Sequence, residues 1–256
     1  MMLGWIREFS PAIYWSMAVQ LVLLLIAGAG LLLDTREVLG INPWIKPLKF
    51  CLSLLIYLPT VAFLLRDLNP GWPGVVIGWG VAIAMVVENT LIALQAYRGV
   101  TSHFNRSTAL DGAIFGVMGV FIAFSTLLMA WLLVLAWMPH PDLTAGYLSG
   151  VRWGLLLFLA GSLQAGFMLR ILAHTVGQPD GGPGVPLLNW STKAGDLRIG
   201  HFVALHGLQV LPIAGWLLDR AGVVAAPVAV AVLALGIAAM FVLVTLQALA
   251  GKPLFF

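Results

Sequence analysis

The residues of this chain that could do chemistry are few, and most fall where lipid would be expected. Glu88 lies inside the apolar run AMVVENTLIALQ, with Asn89 beside it. The stretch GHFVALHGLQVLP carries His201, His206 and Gln209. His103 is the second residue of SHFNRSTALD, and Asp111 closes it. His174 follows Arg170 by four residues, one turn if both are helical. Imidazoles and carboxylates exchange protons near neutral pH and ligate metals. A chain that keeps them in apolar surroundings is equipped for proton chemistry, metal chemistry or buried hydrogen bonding.

Glu88 is the most telling of them, because the other nine acidic residues fall in loops or at termini. It precedes Arg98 by ten residues, which on a helix is about 15 Å. An acid at that depth in a bilayer costs at least ~2.5 kcal/mol, so it should be protonated, paired or turned toward a polar cavity. At about 100° per residue, Gln95 falls within about 20° of Glu88, and Arg98 lies on the same side. That polar stripe should face protein. Gln164, Arg170 and His174 share a comparable arc, and Gln209 lies between His201 and His206. If the helices are neighbours, Gln209 faces Glu88 and Gln95.

Three chemistries fit this set. His103, His174, His201 and His206 could give neutral imidazoles to a divalent metal, zinc or iron. Three such ligands plus water leave the open position of a catalytic site. Glu88 or Asp111 would then be the acid/base, and the substrate a lipid or other amphiphilic small molecule. The i,i+5 spacing of His201 and His206 does not match the i,i+4 pair usual for one metal. A second chemistry is haem b held axially by two histidines of facing helices, since no CxxCH is present. A third is proton-coupled transport or a channel. There Glu88 takes the proton, and His206, Asn89, Gln95, Arg98, Gln209, Arg170, Lys46 and Lys49 line the substrate or proton path.

SHFNRSTALD followed by HFVALH resembles, over these two short stretches, the seven-helix hydrolase superfamily that includes alkaline ceramidases. The resemblance implies a metal site of histidines and an aspartate near one membrane face. The histidine pair here departs from that pattern in spacing and lies in the sixth apolar segment, not the last.

The elements that must position these residues are membrane helices. Of 256 residues 61% are hydrophobic and 9% charged, and mean hydropathy is +1.01. Soluble domains carry roughly 25% charged residues. Too little charge remains to coat a water-facing surface, so the solvent is lipid. The net charge of +3 does not indicate nucleic acid, because the basic residues are scattered singly. One cysteine, Cys51, precludes an intrachain disulfide. Spans of about 20 apolar residues occur at 12–33, 46–65, 74–98, 112–138, 149–175, 200–219 and 222–247. The expected fold is all-α, a polytopic integral membrane protein of about seven transmembrane helices in a single domain over 1–256.

The breaks between spans have local causes, such as Gly99 after Arg98 and the Asp219–Gly222 turn. Residues 176–199, with GQPDGGPGVP, read as a mobile or lid-like segment or a plain connector. Thr108 and Asp111 have the spacing of a capping arrangement, and Asp196 suits a helix start. Lys46 and Lys49 read as snorkelling anchors or headgroup ligands. The ten tryptophans read as an interfacial belt. Nine of the thirteen basic residues fall on one side of this topology. The positive-inside rule then places the N-terminus outside and the C-terminus in the cytoplasm, in a bacterial-type plasma membrane.

Overall fold

A computed structural model describes residues 2–254, and the side chains from residue 4 onward. Among the described residues seven helices are long and apolar enough to cross a membrane, so the chain is an all-α integral membrane protein. They are α2 (Pro11–Leu33), α3 (Ile45–Leu68), α4 (Trp72–Arg98), α5 (Ala109–Ala136), α6 (Ala145–Ile171), α7 (Leu197–Arg220) and α8 (Ala226–Leu249). A short α1 (Met2–Phe9) precedes them, and strands β1 (Thr175–Val176) and β2 (Gly195–Asp196) pair antiparallel between α6 and α7. The chain groups into two compact units, Met1–Leu128 and Met129–Phe256.

The first unit holds α1 to α4 and most of α5. Helix α1 lies outside the apolar spans, and its Ile6 is buried. Trp5 stacks on Phe63 with centroids 5.2 Å apart, and the Arg66 guanidinium lies 4.8 Å from the Trp5 ring. Helices α2 and α4 are joined by buried polar side chains, which suits helices that gain little from the hydrophobic effect in lipid. Ser16 Oγ donates to Ala82 O at 3.2 Å, and Gln20 Nε2 to Met85 O at 3.3 Å. Asn89 Nδ2 donates to Gln20 Oε1 at 2.6 Å and to Cys51 Sγ at 3.1 Å. Helix α4 ends at Gly99, whose φ of +71° suits a residue without Cβ, and Val100 N closes the turn on Gln95 O.

The loop from α2 to α3 is folded around Asp34. Its carboxylate takes Arg36 and the Trp44 Nε1–H at 2.9 Å, and its carbonyl takes Asn42. The Arg36 hydrogen bonds, followed by the one from Trp44, hold the Asp34 carboxyl well below the usual carboxylate range. Trp44 is therefore buried rather than part of a belt. Trp15, Trp72, Trp79 and Trp137 are exposed, consistent with lipid or interface contact.

The second unit is built on the seam between α6 and α7. A Cβ at Gly150 would meet Leu211 O at 2.2 Å, one at Gly154 would meet Gly207 O at 2.9 Å, and one at Gly215 would meet Gly146 O at 2.1 Å. Glycine every fourth residue, G146-x3-G150-x3-G154, lets the two backbones touch. Pro212 lies inside α7 at this closest approach. Asp219, at the end of α7, accepts Gly146 N and Tyr147 N at 3.1 and 2.7 Å, and so caps the exposed donors at the start of α6. Val230 and Ala234 of α8 pack on Leu157 and Leu211.

Candidate functional site

Polar residues converge most closely in the first unit, where the segment joining α4 to α5 turns back into the helices. Ser102 and Asn105 are buried there. The backbone is irregular but tied to itself, with Asn105 Nδ2 donating to Thr101 O and Ser107 bonding Asn105 Oδ1. Phe104 holds a left-handed φ of +60°. That is uncommon for a bulky residue and is held here by packing, its ring 5.5 Å from that of Phe115.

This turn carries His103 down to Glu88. His103 Nε2 lies 3.3 Å from Glu88 Oε1, with side-chain exposures of 28% and 3%. The same imidazole presents Nδ1 to Lys46 Nζ at 3.0 Å and to Ser102 Oγ at 3.1 Å. An ammonium group only donates. Nδ1 must therefore accept, which puts the ring proton on Nε2, facing the carboxylate. Phe50, Phe104 and Phe115 surround the imidazole at 6.1 to 6.3 Å between centroids. Lys46, half-buried, marks the outer end of the chain of groups and Glu88 the inner end. Glu88 Oε2 and its neighbour Asn89 Oδ1 are buried without hydrogen-bond partners.

A second cluster is built on Asp111 at the start of α5. Asp111 Oδ1 takes Arg98 at 2.6 Å and Gln95 Nε2 at 3.0 Å. Asp111 Oδ2 takes Thr108 Oγ1 at 2.6 Å, while Asp111 N donates back to that hydroxyl at 3.1 Å. The capping arrangement expected from the spacing is thus present at the start of α5. Gln95, expected to face Gln209, has its Nε2 and Oε1 engaged by Asp111 and Arg98 within the first unit. Lys49 stands half-buried in the first turns of α3.

The remaining candidates lie in the second unit. Helix α6 stops at Ile171, where Leu172 turns left-handed at φ +52°. His174 consequently lies outside any helix and does not share an arc with Arg170, which stays exposed in the last turn of α6. His174 Nδ1 is 2.8 Å from Asp180 Oδ1, an acid the sequence reading had not singled out. Burial pushes the Asp180 carboxyl up, but His174 and the Thr175 N–H outweigh it and hold the group down at about 2. His201 Nδ1 bonds Gly161 O at 2.8 Å across the α6–α7 seam. His206 Nδ1 bonds Phe202 O of its own helix at 2.8 Å, and Gln209 is half-buried further along α7. Gln164 donates to Leu197 O. Asp196 caps α7 as expected, accepting from Arg198 N at 3.0 Å.

The glycine-rich segment between α6 and α7 is folded. Beyond the β1–β2 pair, Val185 N donates to Trp190 O, Thr192 N to Pro183 O, and Arg198 to Asn189 O. It is a hydrogen-bonded loop connecting α6 to α7.

These positions bear directly on a metal. His103 belongs to one unit and His174, His201 and His206 to the other. Among the described residues no three of His, Cys, Asp and Glu lie together so as to hold a metal ion. His201 and His206 are both on α7. No protein-family model matches the chain, and neither a curated protein nor a solved structure matches it.

Proposed function

We propose that this chain is a proton-coupled membrane transporter or channel whose proton-binding group is Glu88. The observation that carries this reading is the chain of contacts Lys46–His103–Glu88, with the imidazole between an ammonium donor and a buried carboxylate. In one step Lys46 Nζ gives a proton to His103 Nδ1, while His103 Nε2 gives its proton to Glu88 Oε1. The imidazole ends neutral in its other tautomer, Glu88 ends as a neutral acid, and Lys46 regains a proton from water at the surface. Neutralising Glu88 removes the cost of a charge in an apolar interior. The proton is thereby coupled to how the surrounding helices pack. Asn89, next in sequence, belongs to the polar seam with Gln20 between α4 and α2.

The same reading orients the protein. Nine of thirteen basic residues, Lys46 among them, fall on the side that we assign to the cytoplasm of a bacterial-type plasma membrane, with the N-terminus outside.

The test is a pH gradient imposed on proteoliposomes holding an entrapped pH dye, paired with infrared difference spectra of the protein. Wild type should dissipate the gradient faster than empty vesicles and show a titrating carboxylic-acid band. Glu88→Gln should lose both, and His103→Ala should slow the flux and shift the band. A wild-type spectrum with no titrating band that Glu88→Gln removes would refute the proposal.

A further inference from the structure

We propose that the tip of the loop between α6 and α7, residues 185–190 (VPLLNW), inserts into the lipid headgroup and upper acyl region of the bilayer. The loop connects two spanning helices, so a bilayer lies within its reach at both ends. From Gly181 to Thr192 the sequence GGPGVPLLNWST carries no charge. Leu187 is 67% exposed and Leu188 36%. Leu187 and Asn189 both hold left-handed φ, +63° and +56°. For leucine that conformation is unfavourable, and the surrounding hydrogen bonds enforce it: Asn189 N to Val185 O, Val185 N to Trp190 O, and Arg198 to Asn189 O. The fold thus spends backbone strain to project apolar side chains outward.

A second observation says what lies there. Trp190, at the base of the tip, packs edge-on against Phe202, with centroids 5.3 Å apart. Phe202 is 41% exposed and is five residues into α7, about 8 Å along its axis. Helix α7 has 24 residues, about 36 Å, against a hydrocarbon core of about 30 Å. Centred in the bilayer, it puts Phe202 roughly 5 Å below the hydrocarbon boundary. A loop that rests its tryptophan on that residue does not stand off in water. Trp190 thus meets α7 at about the level that interfacial apolar anchors occupy, about 5 to 10 Å into the headgroup and acyl boundary, and it carries two leucines beside it. The partner is therefore a lipid surface and not a soluble protein.

This inference does not depend on Glu88 or on proton coupling. It is tested by nitroxide labels at Leu187→Cys and Leu188→Cys, one at a time, in nanodiscs, since Cys51 is buried. Lys193→Cys serves as the aqueous reference and Leu163→Cys as the lipid-facing one. Collision with oxygen, relative to a water-soluble nickel chelate, should be several-fold higher at both leucines than at position 193 and approach that at position 163. Nickel accessibility equal to that at 193 would overturn the proposal. So would shielding from both reagents, which would mean that protein, this chain's own or a second copy's, covers the tip.

Discussion

Replacing Gly150 by alanine should separate α6 from α7. The added Cβ would stand 2.2 Å from Leu211 O and 2.6 Å from Leu211 C. Ordinary contact begins near 3.4 Å, so the two helices must part by about 1.2 Å at this level. The obstacle is backbone, within a helix that Pro212 already constrains, and no rotamer change relieves it. Overpacking of this kind costs about 1 to 3 kcal/mol. The shift would also stretch the His201 Nδ1 to Gly161 O bond of 2.8 Å, worth about 1 kcal/mol. Against these, alanine gains up to about 1 kcal/mol over glycine in helix propensity. The net loss should be about 1 to 3 kcal/mol. Gly166, on the same helix with nothing within 4 Å of a Cβ, supplies the reference, because Gly166→Ala collects only the propensity gain. Thermal and denaturant unfolding in mild detergent should lower Tm for Gly150→Ala and leave it equal or higher for Gly166→Ala. Equal stability of the two variants would show that the glycine seam is not what holds the second unit together.

Two other predictions separate structural groups from the proton site. Asp111→Asn should lower Tm, because Arg98 and the Thr108 cap lose their carboxylate, whereas Glu88→Gln should leave Tm nearly unchanged while abolishing proton flux; the opposite pattern would make Asp111 the functional acid. The Asp180 carboxyl is held at about 2, below its ordinary 3.8, so the stabilisation of the loop by His174 is present above the unfolded value and is lost as pH falls from about 4 through about 2. At ~1.4 kcal/mol per unit this amounts to about 2.5 kcal/mol; hydrogen-exchange protection of residues 174–196 should fall over that window, and Asp180→Asn should lower it already at neutral pH and remove the dependence.

Much of the candidate site was visible in the sequence as residue types and not as contacts. Glu88 stood out because a lone acid in an apolar span must find a partner, and Lys46 and His103 were both singled out. Their convergence was not legible. His103 is 15 residues from Glu88 in sequence, and the segment between folds back on itself instead of extending the helix. Thr108 with Asp111 and Asp196 with Arg198 were legible, since capping acts between residues three or fewer apart. Asp219 capping α6 from over 70 residues away was not. The G-x3-G-x3-G run at 146–154 marks a face of α6 suited to close helix approach, but only the structure shows that α7 meets it.

The sequence by itself determined that the protein is a membrane-spanning helical chain, where each helix begins and ends to within a few residues, and which polar groups had to be explained. Those properties follow from hydropathy over about 20 residues and from turn chemistry, both local. Only the tertiary structure decided how the five histidines divide: one against Glu88 and Lys46, one against Asp180, and His201, His206 and His140 on backbone carbonyls. Inside lipid a polar side chain takes whichever partner the helix packing brings within about 3 Å, and that packing is set by glycine contacts and re-entrant turns. A one-dimensional periodicity carries no record of them.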